Sequence, residues 1–220
     1  MITAVCFDLD GTLVDSTEAI VESFYHTFDV LKEPRPPREA IVGSIGHVLE
    51  HQFSLLTHHD PRECTRIYRT YYGQICRAQT TLMPGGAECL EALADAGLEL
   101  AFATSKRRKY SEMILEHLGV LDYFMVRIGP DDVSKPKPDA EAVLKACELL
   151  SVTPSQMLFI GDTHFDVLAA RNAGVRCLCV TTGYATRAEL EALEPERVFD
   201  SLAELTAYVL DEVIAAPRSL

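Results

Sequence analysis

Four short runs in this 220-residue chain hold residues whose types and spacing suit metal and anion chemistry. The first is Asp8-Leu9-Asp10-Gly11-Thr12. Two carboxylates two residues apart suit divalent-metal binding together with nucleophilic or acid–base work. Gly11 permits the tight turn that would aim both at one point. A turn with capping aspartates is the plainer alternative. The second run is Thr104-Ser105. A hydroxyl beside free backbone N–H groups at a helix start forms an anion site, and a simple N-cap uses the same residues. The third is Lys135-Pro136-Lys137-Pro138-Asp139. Its prolines fix the backbone and delay the next helix. Lys135 could then be held as a point charge on an anion and on the first aspartates; an exposed basic loop is the alternative. The fourth is Gly161-Asp162-Thr163-His164-Phe165-Asp166. Its carboxylates, four residues apart, could face one metal, one directly and one through water. Helix capping by Asp166 would account for the same pattern.

Each run follows a stretch that reads as a strand. Apolar segments at 3–8, 98–104, 157–162 and 176–182, with weaker ones at 124–128 and 197–200, suit strands covered on both faces. Helical patterns at 86–96, 109–118, 139–150, 165–173 and 201–214 alternate with them, the last opening on Ser201 with Glu204 at the capping-box position. Strands and helices alternating at this length predict an α/β fold, a Rossmann-like doubly wound parallel sheet. In such sheets ligands bind beyond the carboxyl ends of the strands, so all four runs would meet at one edge. Residues 16–80 break the rhythm with helical patterns at 16–31, about 38–56 and 61–79 and no convincing strand. They predict an inserted α-helical cap, with residues 1–15 and 81–220 forming the core.

Composition narrows the class of partner. The formal net charge is −13, which disfavours nucleic acid and anionic membrane. An acidic surface also repels a phosphate compound at long range, so an anion site here needs a metal ion or a placed lysine. The segment 15–80 is nearly charge-balanced, while the remainder carries most of the excess negative charge. Hydrophobic residues make up 48%, enough for a real core. The seven cysteines form no CxxC pair and fit a reduced, cytoplasmic setting. The acidic residues among positions 1–30 exclude a signal-peptide core, and no apolar run is long enough to span a membrane.

FDLDGTLVDS, TSK, KPKPD and GDTHFD, in this order, resemble the motif set of the haloacid dehalogenase superfamily, across the whole chain and including a helical insert after the first motif. Within it, the chain resembles the phosphoglycolate phosphatase and pyrophosphatase branch. The resemblance implies a Mg2+-dependent phosphatase. Asp8 would be the nucleophile that forms an aspartyl-phosphate, and Asp10 the general acid and then base. Thr104 and Ser105 would hold the transferring phosphoryl group, and Lys135 would neutralise charge between Asp8 and phosphate. Asp162 would bind magnesium together with Asp8 and the backbone oxygen of Asp10, and Asp166 would support the metal from behind. The second aspartate favours phosphate esters over carbon–halogen bonds. A small phosphorylated metabolite, first 2-phosphoglycolate, is the expected substrate of a monomer or homodimer. Pyrophosphate, a sugar phosphate or a nucleotide are alternatives, as are a sugar-phosphate mutase or a non-catalytic binding protein on this fold. Selectivity would come from cap side chains, among them Arg35, Arg38, Arg62, Arg66, Arg69 and Arg77.

Three other patterns have plainer explanations. His47-Val48-Leu49-Glu50-His51 matches a zinc-peptidase pattern but lacks a nameable third ligand. Lys106-Arg107-Arg108-Lys109 reads as a solvated helix start, although Arg107 could touch substrate. Cys177 and Cys179 share one strand face and read as core.

Overall fold

A computed structural model describes residues 1–214. In chain order the first elements are β1 (Ala4–Phe7), β2 (Val14–Asp15) and helices α1 (Thr17–Leu31), α2 (Arg38–Val42), α3 (Leu49–Leu56) and α4 (Pro61–Ile75). There follow β3 (Thr81–Leu82), α5 (Gly86–Asp95), β4 (Glu99–Ala103), α6 (Arg108–His117), β5 (Phe124–Ile128) and α7 (Glu141–Leu149). The chain continues with β6 (Met157–Gly161), α8 (His164–Ala173), β7 (Arg176–Val180), α9 (Arg187–Glu191), β8 (Arg197–Phe199) and α10 (Leu202–Tyr208), whose last turns, Val209–Ile214, are π-helical.

Six strands form one parallel sheet in the order β5-β4-β1-β6-β7-β8. The chain builds outward from β1 on one side and then returns to place β6 on the other. The direction of winding thus reverses around β1, and a crevice opens beyond its carboxyl end. The central strands are buried on both faces because helices cover both. On one face Ala4, Cys6, Ala101 and Ala103 meet Ala142, Ala146, Ala169 and Ala170 of α7 and α8. Small side chains on both partners let those helices sit close to the sheet. The other face carries the bulk: Phe7 and Phe102 each pack edge-on against Phe124.

That bulkier core continues into the helical segment between β2 and β3, where Phe24 meets Phe53 and Tyr68 at ring separations of 4.6 and 5.1 Å. β2 and β3 pair antiparallel, so the chain enters and leaves this segment side by side. Two-residue strands carry no readable periodicity, and the sequence did not signal them. The helix expected over 38–56 is two helices. Between them, Gly46 has φ +106°, and a Cβ there would stand 2.6 Å from the Phe165 ring of α8. A left-handed residue and this close approach stop one helix from running through. The short α9 was also unanticipated; its capping box, Thr186 with Glu189, was the available signal. All seven cysteines are buried and unbridged. Among the described residues no helix is long and apolar enough to cross a membrane.

Candidate active site

Asp8 extends β1 by one ladder bond, its N–H donating to the Ile160 carbonyl at 2.8 Å. The chain then coils tightly. The Leu9 carbonyl accepts from the N–H groups of Thr12, Leu13 and Val14 at 2.9 to 3.1 Å. Gly11 adopts φ +85° in this coil, and a Cβ there would stand 2.4 Å from Asp162 Oδ2. The coil separates the two aspartates of the first run. Asp8 turns into the sheet edge and is 5% exposed. Asp10 turns toward the helical segment.

Asp162 leaves β6, next to β1, and is fully buried. Its Oδ1 accepts from the Thr12 hydroxyl at 2.8 Å and its Oδ2 from the Tyr184 N–H at 2.9 Å. Asp166 sits in the first turn of α8. Its Oδ2 accepts from the N–H and hydroxyl of Thr163 at 3.0 and 2.6 Å, which caps the helix. Asp8, Asp162 and Asp166 each offer a carboxylate oxygen within 4.8 Å of the others.

The cation among them is Lys137. Its Nζ donates to Asp166 Oδ1 at 2.6 Å and stands 2.9 Å from Asp8 Oδ1. The expectation for Lys135 is corrected: its side chain is 75% exposed, with only Asp139 at 3.9 Å. Glu141 explains the difference. Its carboxylate accepts from the N–H groups of Ser134 and Lys135 at 2.8 Å each, which anchors this stretch at the surface. The chain then turns inward, and Lys137 lies over the Phe159 ring of β6. The sequence shows two lysines, each followed by proline, and their spacing alone does not say which one turns inward.

Charge balance shows what the cluster needs. Three buried carboxylates face one buried ammonium, a deficit the protein interior does not tolerate without a further cation or a proton. Burial pushes the Asp8 carboxyl up from 3.8 to about 6, against the pull of Lys137, and drives Asp162 well above the usual carboxylate range. Burial also opposes the Lys137 charge, but Asp166 and Asp8 outweigh it and hold its proton more tightly than usual. Asp8 Oδ1 is buried with Lys137 nearby but has no donor aligned on it. An all-oxygen, multiply anionic donor set with an unsatisfied oxygen fits a hard divalent cation such as Mg2+.

Asp10 faces a second cation that sequence reasoning placed wrongly. Lys106 is not part of a solvated helix start; its side chain is 8% exposed, and its Nζ stands 2.8 Å from Asp10 Oδ1. It also donates to the Tyr72 hydroxyl at 2.5 Å and to Ser16 Oγ at 3.2 Å. Ser16 in turn donates to Asp10. Tyr72 belongs to α4 and Ser16 precedes α1, so the helical segment helps hold Asp10. The position of Lys106, directly after Thr104-Ser105, was the available clue.

Thr104 continues β4 beside β1, donating its N–H to the Ile128 carbonyl at 3.0 Å, and is 6% exposed. Ser105 departs from expectation: its hydroxyl donates to the Gly46 carbonyl at 2.7 Å and so joins the core to the helical segment. Nor is the helix start free to take an anion. α6 begins only at Arg108, whose N–H donates to Asp131 at 3.2 Å. Gly183 and Tyr184, after β7, were not anticipated. A Cβ on Gly183 would stand 1.8 Å from Asp162 Oδ2, so only glycine fits.

Asp10, Ser105 and Lys106 line one wall of a cavity of about 350 Å3 whose other wall includes Tyr68, Arg69 and Tyr72 of α4. Of the arginines proposed for selectivity, only Arg69 reaches it. Arg35 pairs with Asp29, and Arg38 with Glu18. The rings of His47 and His51 lie 4.5 Å apart, but among the described residues the one cluster of three potential metal ligands is Asp8, Asp162 and Asp166.

An open parallel sheet with buried carboxylates at its topological switch point, under a helical segment that supplies part of the cavity wall, defines a hydrolase-type α/β enzyme site. Residues 5–180 match the haloacid dehalogenase-like hydrolase family, and the chain belongs to that family. It is 32% identical over 208 residues to pyrophosphatase PpaX of Bacillus mycoides (strain KBAB4), covering 93% of this chain and 95% of that protein. Among solved structures, a haloacid dehalogenase-like family hydrolase from Streptococcus pneumoniae superposes with a TM-score of 0.85 at 33% identity, covering 94% and 98% of the two chains. A structure called a predicted phosphoglycolate phosphatase, from Haemophilus somnus 129pt, gives a TM-score of 0.87 at 27% identity, with 94% and 98% covered.

Proposed function

We propose that this hydrolase is a Mg2+-dependent phosphatase that cleaves a small phosphomonoester through an aspartyl-phosphate on Asp8. The observation that carries the reading is the division of labour between the two aspartates of the first run. Asp8 is buried against Lys137 with an oxygen lacking an aligned donor, whereas Asp10 is held apart, at the cavity wall, by Lys106. One carboxylate is thus placed to attack and the other to move protons.

The metal would be held by Asp8 and Asp162, with Asp166 behind them. When bound it supplies charge neutralisation that lets a phosphate dianion approach carboxylates. Asp8 attacks phosphorus, and the bond from phosphorus to the ester oxygen breaks. Asp10 gives its proton to the departing oxygen. Asp10 then takes a proton from water, which attacks the same phosphorus, freeing inorganic phosphate and restoring Asp8. Lys137 offsets the charge of Asp8, and Thr104 is placed to contact the phosphoryl group. Residues 16–80 act as a cap over the core formed by 1–15 and 81–220 and exclude water from the cavity. The name of one relative supports 2-phosphoglycolate as the first substrate, and that of another supports the alternative, pyrophosphate, a phosphoanhydride in place of an ester.

A panel of phosphorylated metabolites assayed with Mg2+ tests the reading, together with acid-quench trapping of labelled phosphate. Label is expected on Asp8 and absent from Asp8→Asn. Label on another residue, or no hydrolysis of any member, would overturn it.

A further inference from the structure

Two guanidinium groups face the cavity from opposite sides. Arg69 comes from α4, in the helical segment; Arg107 comes from the core, just before α6. Each has a single carboxylate in ion-pair range and no hydrogen bond to it. Arg69 Nη2 stands 3.7 Å from Glu50, and Arg107 Nε stands 3.9 Å from Asp131, both beyond hydrogen-bonding distance. Other arginines of this chain are better satisfied: Arg35 meets Asp29 through two nitrogens, at 2.9 and 2.6 Å. The Arg69 side chain is 27% exposed, and burial together with the nearby Arg107 holds its proton less tightly than usual. Two like charges have therefore been brought together in a partly closed space, each with one carboxylate in ion-pair range but none hydrogen-bonded to its guanidinium.

The cationic character continues outward. An adjoining groove is lined by Arg62, Arg66, Arg69 and Lys109, with no carboxylate in its wall. Arg62, Arg66 and Arg69 fall on one face of α4, and Lys109 stands across from them on α6. On a chain of net charge −13 such a surface is a local exception. The groove and the cavity share Arg69 and Tyr110, and the Tyr110 hydroxyl donates to the Arg69 carbonyl at 2.9 Å. The cationic groove thus opens into the cavity that holds Lys106 and Asp10, whose lining also includes Glu50 and Asp131. That continuity favours the outer part of a substrate over a separate effector.

We propose that the substrate carries a second anionic group besides the phosphate that is transferred, and that Arg69 and Arg107 seat it between the helical segment and the core. The outer cations Arg62, Arg66 and Lys109 draw it in. A carboxylate and a phosphate both fit, since a planar guanidinium binds either through paired N–H groups. Seating the group ties α4 to the core, so binding and closure of the helical segment become one event. The proposal rests on the phosphatase reading for the position of the first phosphate.

The test compares kcat/KM, with Mg2+, for 2-phosphoglycolate and pyrophosphate against ethyl phosphate, which lacks a second anionic group. A preference of about 30-fold or more is expected for at least one of the first two, from two charge-assisted contacts. The preferred compound tells whether the seated group is a carboxylate or a phosphate. Arg69→Gln and Arg107→Gln should each cut that preference at least about tenfold, with a melting temperature close to that of the parent. No preference in the parent, or a preference unchanged in both variants, would overturn the proposal. If none of the three compounds is hydrolysed, 2-phosphoglycolate and pyrophosphate are excluded as substrates, and the phosphatase reading falls only if the whole panel is inert. Calorimetry with Mg2+ then decides this inference alone: phosphonoacetate or methylenediphosphonate should bind at least about tenfold tighter than ethylphosphonate, and equal affinities overturn it.

Discussion

Replacing Lys137 by methionine, beside the same change at Lys135, separates the buried lysine from the exposed one. The Lys137 side chain is 3% exposed and bridges Asp8 at 2.9 Å and Asp166 at 2.6 Å. Methionine keeps the stem over Phe159 but leaves two buried carboxylates without their cation. Breaking a buried pair in this way costs about 3–5 kcal/mol. Asp8, already raised to about 6, gains the proton more readily once Lys137 is gone, so the lower end of that range is expected without metal. The same charge is missing when a dianion meets Asp8, and a loss of about 3–5 kcal/mol in the barrier is roughly 10² to 10⁴-fold in rate. Lys135 is 75% exposed, and Lys135→Met should change stability by less than about 0.5 kcal/mol and rate by less than about twofold. The assays are kcat/KM at saturating Mg2+ on the best ester of the panel and urea unfolding with and without Mg2+. Lys137→Met retaining activity within about tenfold of the parent, or Lys135→Met losing as much as Lys137→Met, would refute the reasoning.

Gly183→Ala should drive Asp162 from its place, since the new methyl would stand 1.8 Å from its Oδ2; the Mg2+ concentration for half-maximal activity should rise at least about tenfold, and an unchanged value would contradict the assignment. The contribution of Asp8 to the stability of the metal-free protein, read as the difference from Asp8→Asn, should fall as pH rises from about 4 to above 6. Across that window the unfolded chain gives up the Asp8 proton before the folded one does, because burial holds that proton in the folded protein. Mg2+ should flatten this slope in urea titrations, and a flat metal-free profile would argue against a raised Asp8. Asp10→Asn should slow alkyl phosphates by about 10² to 10⁴-fold, because their leaving oxygen needs a proton. With p-nitrophenyl phosphate, whose leaving group needs none, it should give a burst of p-nitrophenol followed by slow turnover; equal slowing of both without a burst would refute the proton-transfer role.

What the sequence alone determined is what local pattern encodes. Apolar runs bounded by Asp, Gly or Pro mark strands that helices cover on both faces, and the expected six are the strands of the sheet. Because a parallel sheet aligns its strand ends, Asp8 and Asp162, each just past such a run, had to meet at one edge, and their convergence with Asp166 was legible before any coordinates. Choices between locally equivalent residues were not. Lys135 and Lys137 are each followed by proline, and Glu141, six residues from one and four from the other, holds the first at the surface while the second reaches Asp8. Lys106 looked like one of four solvated cations until Tyr72 and Ser16, remote in sequence, closed over it. Gly183 has meaning only because Asp162 of another strand occupies the space its side chain would need. For Lys106 and Gly183 the deciding contact joins segments far apart along the chain, and Lys137 is held by the equally remote Asp8 and Asp166, so burial and charge compensation, not local spacing, settled which residue faces the site.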